Sequence, residues 1–390
     1  MLPIWKDIIP ALIALLFLNW IIGKFYTKTF TANSTPFYFF LSVSVFVLYL
    51  LGLLYTQNMG NGLKNMETKL SLLIFPLIYF FSKPFSKEQK NTVTNVFVYG
   101  CITAMLICFT QATYHYMIPD PNEFNYGKDF FFKHRLSPWI HTSYIAMYVV
   151  MALFGLSQIR NDRLTGNKKS IAIMLLIVFV LMLVSKAGII GLILFGIYSG
   201  WKMIVKEKQI KKPIIMTVTA LCFSLLYYVS VPEFRLKINS VFESFKETPD
   251  VKNTSESTVT RMAIWNISGK IIKENALTGV GTGDATDVLF DSHKKEGLQI
   301  AMENKLNAHN QFIQTFLALG ISGFLLLVIS IALPLIYAIR KRDFLFVTFL
   351  ILILINFSVE AMLETQAGVI FYAFFNSILF FSGKKELATT

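Results

Sequence analysis

Cysteine is nearly absent from this chain: three in 390 residues, Cys101, Cys108 and Cys222. All three lie inside apolar runs, with no ligand spacing between them. That excludes a disulfide framework and a thiolate metal site, and the three read as small core residues. Acidic residues are also scarce, 23 against 36 Lys and Arg, for a net charge of +13. The N-terminal apolar run Ile8–Gly23 has neither a basic lead-in nor a clear small-residue cleavage site. It therefore reads as a span and not as a cleavable signal. Nowhere do apolar and polar residues alternate over segments of about ten, which excludes an outer-membrane barrel. What is abundant is apolar surface: mean hydropathy is +0.56, and there are 37 phenylalanines.

Apolar runs near twenty residues, separated by Lys-rich or polar connectors, indicate an all-α polytopic membrane bundle of about 11–12 spans. Eleven are read here: Ile8–Gly23, Pro36–Tyr55, Leu70–Ser82, Val93–Thr113, Ile140–Gln158, Ser170–Ser185, Ala187–Gly200, Pro213–Val231, Asn310–Ile339, Phe344–Phe357 and Gly368–Ser382. The third is short, with Lys69 expected to snorkel at its start. The ninth is long, and is expected to tilt or to extend beyond the bilayer. Three regions follow: transmembrane helices over 1–231, an external loop with amphipathic surface helices over 232–308, and further transmembrane helices over 309–390.

Orientation follows from the basic residues of the short connectors. Alternate connectors hold Lys24 and Lys28; Lys83, Lys87 and Lys90; Arg160, Arg163, Lys168 and Lys169; Lys202, Lys206, Lys208, Lys211 and Lys212; and Arg340, Lys341 and Arg342, with Lys384 and Lys385 in the tail. The opposite side holds Lys6, Lys64, Lys69, Lys128, Lys133, Arg135 and Lys186. The first set is therefore cytoplasmic. The N-terminus and the loop from Pro232 to Ala308 face out. The basic excess is thus a topology signal, and none of it is left to support a nucleic-acid partner.

Four external features carry chemistry. Lys186 lies in Val184-Ser185-Lys186-Ala187-Gly188, between two apolar runs with almost no loop. It is either a snorkelling turn lysine or a ligand for an anion; a charge at membrane depth costs about 2.5–3.5 kcal/mol and usually has a task. Arg261 opens a stretch with Ile264, Ile267 or Ser268, and Ile271 at helical spacing, which Ser257 or Thr258 can cap. This reads as an amphipathic helix on the membrane surface, with Arg261 either its solvated face or an anion contact. Lys133-His134-Arg135, ahead of Trp139 and His141, is either an interfacial belt or part of a binding site. His309 starts the ninth span, with Asn307 or Ala308 expected to cap it and His309 in the first turn. There the helix dipole disfavours the imidazolium, and a neutral imidazole can act as a general base; the alternative is a boundary histidine that only caps.

Gly279-Val280-Gly281-Thr282-Gly283 can present backbone N–H groups to a phosphate, but reads better as a turn closing the surface helix. It is not a dinucleotide fingerprint, because no strand precedes it. External loops contain no Asp-x-Asp pair, and Asp284 and Asp287 are weakly placed, so no metal or other cofactor is expected. Cations gathered on the side where positive charge is least favoured suit an anionic group at the outer leaflet, such as a lipid diphosphate.

Three of these stretches also carry a likeness. His309-Asn310-Gln311-Phe312 through Gly320-Ile321-Ser322-Gly323 resembles the His-Asn…Gly-x-x-Gly signature of the O-antigen ligase family of bacterial envelope glycosyltransferases. Arg261 with Trp265, then Leu277 to Gly283, resembles that family's Arg-x-x-x-Trp…Gly-x-Gly-x-Gly stretch. Ser185-Lys186-Ala187-Gly188 resembles its Ser-Arg stretch, with Lys in place of Arg. The resemblance covers roughly residue 130 to the C-terminus. The family usually has about twelve spans, one more than is read here.

The resemblance implies an enzyme of the bacterial inner membrane, active at its periplasmic face. It would move a glycan from undecaprenyl diphosphate to a hydroxyl of lipid A–core oligosaccharide, with inversion and without a metal. His309 is then the catalytic base, and Arg261, Lys186, Arg135, His141 and Asn310 are substrate contacts. An O-antigen polymerase or a protein O-oligosaccharyltransferase would use the same donor, and the sequence does not separate these. A lipid-linked glycan transporter would need charges along a mid-membrane path and an internal repeat, and neither is seen.

Overall fold

In lipid a backbone N–H or C=O has no water to bond, so an apolar chain must close its hydrogen bonds within each segment. Accordingly, every regular element among the described residues is a helix. The computed structural model describes residues 8–28, 32, 35–118, 128–158, 163–208, 225–232, 235, 236, 239 and 257–382. These form an all-α polytopic membrane protein. They divide into two compact units, one drawn from 93–247 and the other from 6–92 with 248–390.

The first unit takes most of α5 (Lys87–Met117), then α6 (Thr142–Gln158), α7 (Gly166–Met182) and α8 (Lys186–Trp201). From Ser143 to Leu156 every residue of α6 is buried. Such a helix, apolar all round, belongs at the centre, and α7 and α8 pack against it. Most of the span read over Pro213–Val231 lies outside the described residues.

The second unit holds α1 (Ile9–Thr27), α2 (Pro36–Leu51, extended by a tighter turn to Tyr55), α3 (Met59–Lys69) and α4 (Ser71–Phe80). After the long loop come α9 (Ser257–Glu274), α10 (Ala285–Glu296), α11 (Gln311–Arg340), α12 (Phe344–Val359) and α13 (Gln366–Phe381). Phenylalanine supplies much of its core. Phe349 on α12 meets Phe371 and Phe375 on α13, and Phe39 stacks on Phe80 at 4.4 Å between ring centres. Connectors that the charge pattern puts on one side of the membrane touch one another. Lys90 pairs with Asp343 at 2.6 Å; on the other side Lys69 pairs with Glu364 at 2.9 Å.

Two expectations need correction. Lys69 does not snorkel: it ends α3 with no exposed surface, its charge met by Glu364 inside the protein. The ninth span is long, 30 residues over Gln311–Arg340, but it is not one continuous helix as the apolar run suggests. It breaks at Gly320, whose φ of 66° and ψ of −161° lie outside the helical region. The break is filled by the glycine-rich stretch. Val280 N–H donates to Leu317 O at 2.8 Å, Gly281 N–H to Ala318 O at 3.0 Å, and Ile321 N–H to Ala276 O at 2.8 Å. Carbonyls that lose their helical partners are thus bonded within the protein, as an apolar surround requires. A Cβ at Gly320 would overlap the Leu277 carbonyl, and one at Gly279 would press on the backbone of Ala318 and Leu319.

Candidate functional site

The site starts from the apolar row on α9. Ile264, Ile267 and Ile271 share one face and bury it against Leu289, Leu298, Ala301, Ala308 and Leu317. This corrects the expectation that the face lies on the membrane, because protein covers it. Burying such side chains is worth about 1.5–3 kcal/mol each, which fixes α9 against the start of α11.

Arg261 and Trp265, four residues apart, share a second face of α9. The Trp265 indole N–H donates to Ala308 O at 2.8 Å. The Arg261 Nη2 donates to Glu360 Oε1 at 2.9 Å. One helical turn thus grips both the residue before His309 and the carboxylate beside it.

His309 precedes α11 instead of lying in its first turn, and here the expectation is corrected. The cap is Asn310, whose Oδ1 accepts from Ile313 N–H at 3.1 Å. His309 itself adopts a left-handed φ of 43°, and its N–H donates to Asn307 Oδ1 at 2.9 Å. Such a conformation costs a bulky residue about 1–3 kcal/mol and persists only where neighbours enforce it. The enforcing contacts are the Trp265 bond at Ala308, the Asn307 bond and the Asn310 cap. The Asn310 Nδ2 also donates to Ser358 O at 3.1 Å, tying the cap to the end of α12. Asn310, expected as a substrate contact, therefore has its amide engaged at both ends.

The group that faces the imidazole is a carboxylate, not a helix end. His309 Nδ1 lies 3.0 Å from Glu360 Oε2. Glu360 follows α12 in extended conformation, and its side chain is 7% exposed. One buried carboxylate therefore serves two cationic or hydrogen-bearing partners through its two oxygens. If Nδ1 carries the proton given to Glu360, Nε2 keeps a lone pair, and the ring is oriented for proton acceptance. The Arg261 side chain is 21% exposed, with donors beyond the one used on Glu360. Positive charge next to a base is the combination needed where a proton leaves an acceptor and negative charge departs on a leaving group.

Glu360 was missed in the sequence. Its signal was the one used for Lys186, a charged residue at the edge of an apolar run, here in the connector 360–365 between two spans.

Lys186, Arg135 and His141 lie in the other unit. Lys186 is the first residue of α8, capped by Ser185, whose Oγ accepts from Gly188 N–H at 3.3 Å. Arg135 stacks over Phe130 at 5.2 Å. His141 is exposed, its Nδ1 accepts from Ser143 N–H at 3.4 Å, and its ring meets Tyr144.

The glycine-rich stretch is not an anion cradle. Beyond the Val280 and Gly281 bonds to α11, Thr282 N–H reaches Gly52 O at 3.4 Å and Gly283 N–H reaches Thr56 Oγ1 at 3.1 Å. The two nearby carboxylates are engaged as well. Asp284 accepts from the N–H groups of Gln57 and Asn58, each at 2.7 Å, and Asp287 accepts from the side-chain amide of Asn58 at 2.7 Å. Both thus serve to dock α10 onto the start of α3.

Two comparisons with known proteins bear on the chain. Residues 171–328 match the family described as O-antigen ligase. That segment contains Lys186, Arg261 and His309, and stops short of Glu360. A Haemophilus influenzae protein described as uncharacterized is 23% identical over 303 residues, which cover 76% of this chain and 71% of that protein.

Proposed function

We propose that this chain, with its O-antigen ligase domain over residues 171–328, transfers a glycan from undecaprenyl diphosphate to a hydroxyl of lipid A–core oligosaccharide at the periplasmic face of the inner membrane. The observation that carries the reading is the Arg261–Glu360–His309 chain of contacts, 2.9 Å and 3.0 Å long. The acceptor oxygen attacks the anomeric carbon as the bond from that carbon to the diphosphate oxygen breaks. His309 Nε2 takes the acceptor's proton. The electron pair of the broken bond leaves on the diphosphate, whose added charge Arg261 stabilises. A single displacement inverts the sugar carbon.

Glu360 holds the imidazole in the tautomer that accepts at Nε2, and faces the positive charge that grows on the ring. The charge pattern assigns Lys186, Arg135 and His141 to the external side, and on that ground they are taken as further contacts for the anionic donor. The step is assigned no metal, because Arg261 supplies charge at the leaving group, and Asp284 and Asp287 are already engaged.

The test is the lipopolysaccharide of a strain lacking the gene. A ligase predicts loss of all capped core. Retention of core bearing a single repeat unit would instead indicate a polymerase, and an unchanged profile would refute both.

A further inference from the structure

Lys69 closes α3 with no exposed surface. Its ammonium lies 2.9 Å from Glu364 Oε2 and 4.5 Å from the centre of the Tyr49 ring. The Tyr49 hydroxyl meets Thr315 Oγ1 at 3.1 Å, and Gln311 Nε2 donates to that same oxygen at 3.0 Å. Gln311 Oε1 accepts the Leu363 N–H at 2.6 Å. Two of these contacts, Lys69 to Glu364 and Gln311 to Leu363, end on the connector 360–365, which carries Glu360 at its start; the others hold Lys69 and Gln311 in place.

We propose that the buried Lys69–Glu364 pair, aided by the Gln311 amide, is a positioning device that sets the Glu360 carboxylate against His309 and Arg261. The proposal rests on the functional reading above. The connector is short and tightly wound: Glu364 N–H donates to Ala361 O at 3.1 Å and Thr365 N–H to Met362 O at 3.3 Å. Met362 and Leu363 are fully buried between the two charged ends. A displacement of Glu364 therefore passes through a single turn to Glu360, with no loose residue to absorb it.

Closing this connector does not itself require charge. Burying an ammonium and a carboxylate carries a desolvation penalty that a well-packed apolar pair avoids. What the ion pair adds is one fixed geometry, because Glu364 must meet an ammonium held in place by α3 and Tyr49. Gln311 fixes the middle of the same connector from a position two residues after the base.

The test compares the full-length enzyme with Lys69→Met, Lys69→Arg and Glu364→Gln. The probes are undecaprenyl diphosphate-linked glycan as donor and lipid A–core oligosaccharide as acceptor, with donor-binding stoichiometry used to count competent molecules. Lys69→Met and Glu364→Gln are expected to lower kcat per competent molecule by roughly ten- to a hundredfold, the scale of a small misplacement of catalytic groups. KM for the donor should change far less than kcat, since the Arg261 side chain is kept and what is lost is its alignment with charge that grows only in the transition state. Lys69→Arg should recover most of the rate. Wild-type kcat in Lys69→Met, whatever its melting temperature, would overturn the proposal. Should Lys69→Met not fold, Lys69→Met/Glu364→Met removes both charges together; a wild-type rate there would overturn it equally. Slow Glu360→Gln with fast Lys69→Met brings down this proposal alone. Full activity in Glu360→Gln brings down the functional reading, and the proposal with it.

Discussion

Replacing Glu360 with glutamine probes the site at its most constrained atom pair. The two side chains have nearly the same shape, so packing is kept while charge is lost. The carboxylate accepts at both oxygens, from Arg261 at 2.9 Å and from His309 at 3.0 Å. An amide has one oxygen and one NH2 group. If its oxygen faces Arg261, its NH2 faces His309 and favours the tautomer with the proton on Nε2, where no base remains. If its oxygen faces His309, two donors collide at Arg261. A hydrogen bond to a charged group is worth about 1.5–3 kcal/mol. Lost from the transition state alone, it lowers kcat by about 10- to 150-fold. The assay is transfer of labelled glycan by purified Glu360→Gln and wild-type protein, with donor KM measured in parallel. A kcat within about twofold of wild type would refute the assignment of Glu360 as the partner of the base.

Other expectations are as direct. Arg261→Ala should slow transfer more than Arg261→Lys, because a planar fork can hold Glu360 and a phosphate oxygen together where an ammonium is a single point; equal rates in the two variants would remove Arg261 from the donor site. Gly320→Ala should lower the melting temperature in detergent, at a cost of about 3 kcal/mol or more, because the backbone conformation there is nearly glycine-only and the new methyl meets a carbonyl that cannot move aside. An unchanged melting temperature would show that the break in α11 is not held by this contact. His293 is buried in α10, its Nε2 3.2 Å from Leu306 O, and burial lowers its pKa from the ordinary 6.5. The unfolded chain then binds this proton more readily than the folded one, so the stability contribution is complete above the ordinary value and is lost as pH falls through the folded one. The melting temperature of wild type should drop on acidification, and that of His293→Leu should drop less; parallel curves would deny the effect.

Much of the fold could be read from the sequence because lipid leaves few options. Length and hydropathy located the spans that the described residues show, and the basic residues grouped connectors that do touch, as in Lys90–Asp343 and Lys69–Glu364. The break in α11 could not be read from length. A continuous apolar run gives no sign that Gly320 takes a positive φ, since the cause is a glycine stretch some forty residues earlier in the chain. In the site, His309 and Arg261 stood out as charged or titratable groups at apolar boundaries, and the structure brings them to one carboxylate. That carboxylate does not stand out in the sequence, because an acidic residue agrees with the charge rule on the side that the basic connectors mark as external. The partner of Lys69 is hidden for a related reason: a boundary lysine usually finds water, and only the fold reveals Glu364 opposite it.

The central claim is that His309 accepts the proton of the acceptor hydroxyl. Its most direct test is His309→Ala in purified form, assayed for glycan transfer with defined donor and acceptor and, separately, for donor binding. Arg261 and the connector 360–365 remain in place in this variant, so donor affinity should stay close to wild type while turnover falls to background. Near-normal turnover by His309→Ala, in protein that binds donor as wild type does, would contradict the account.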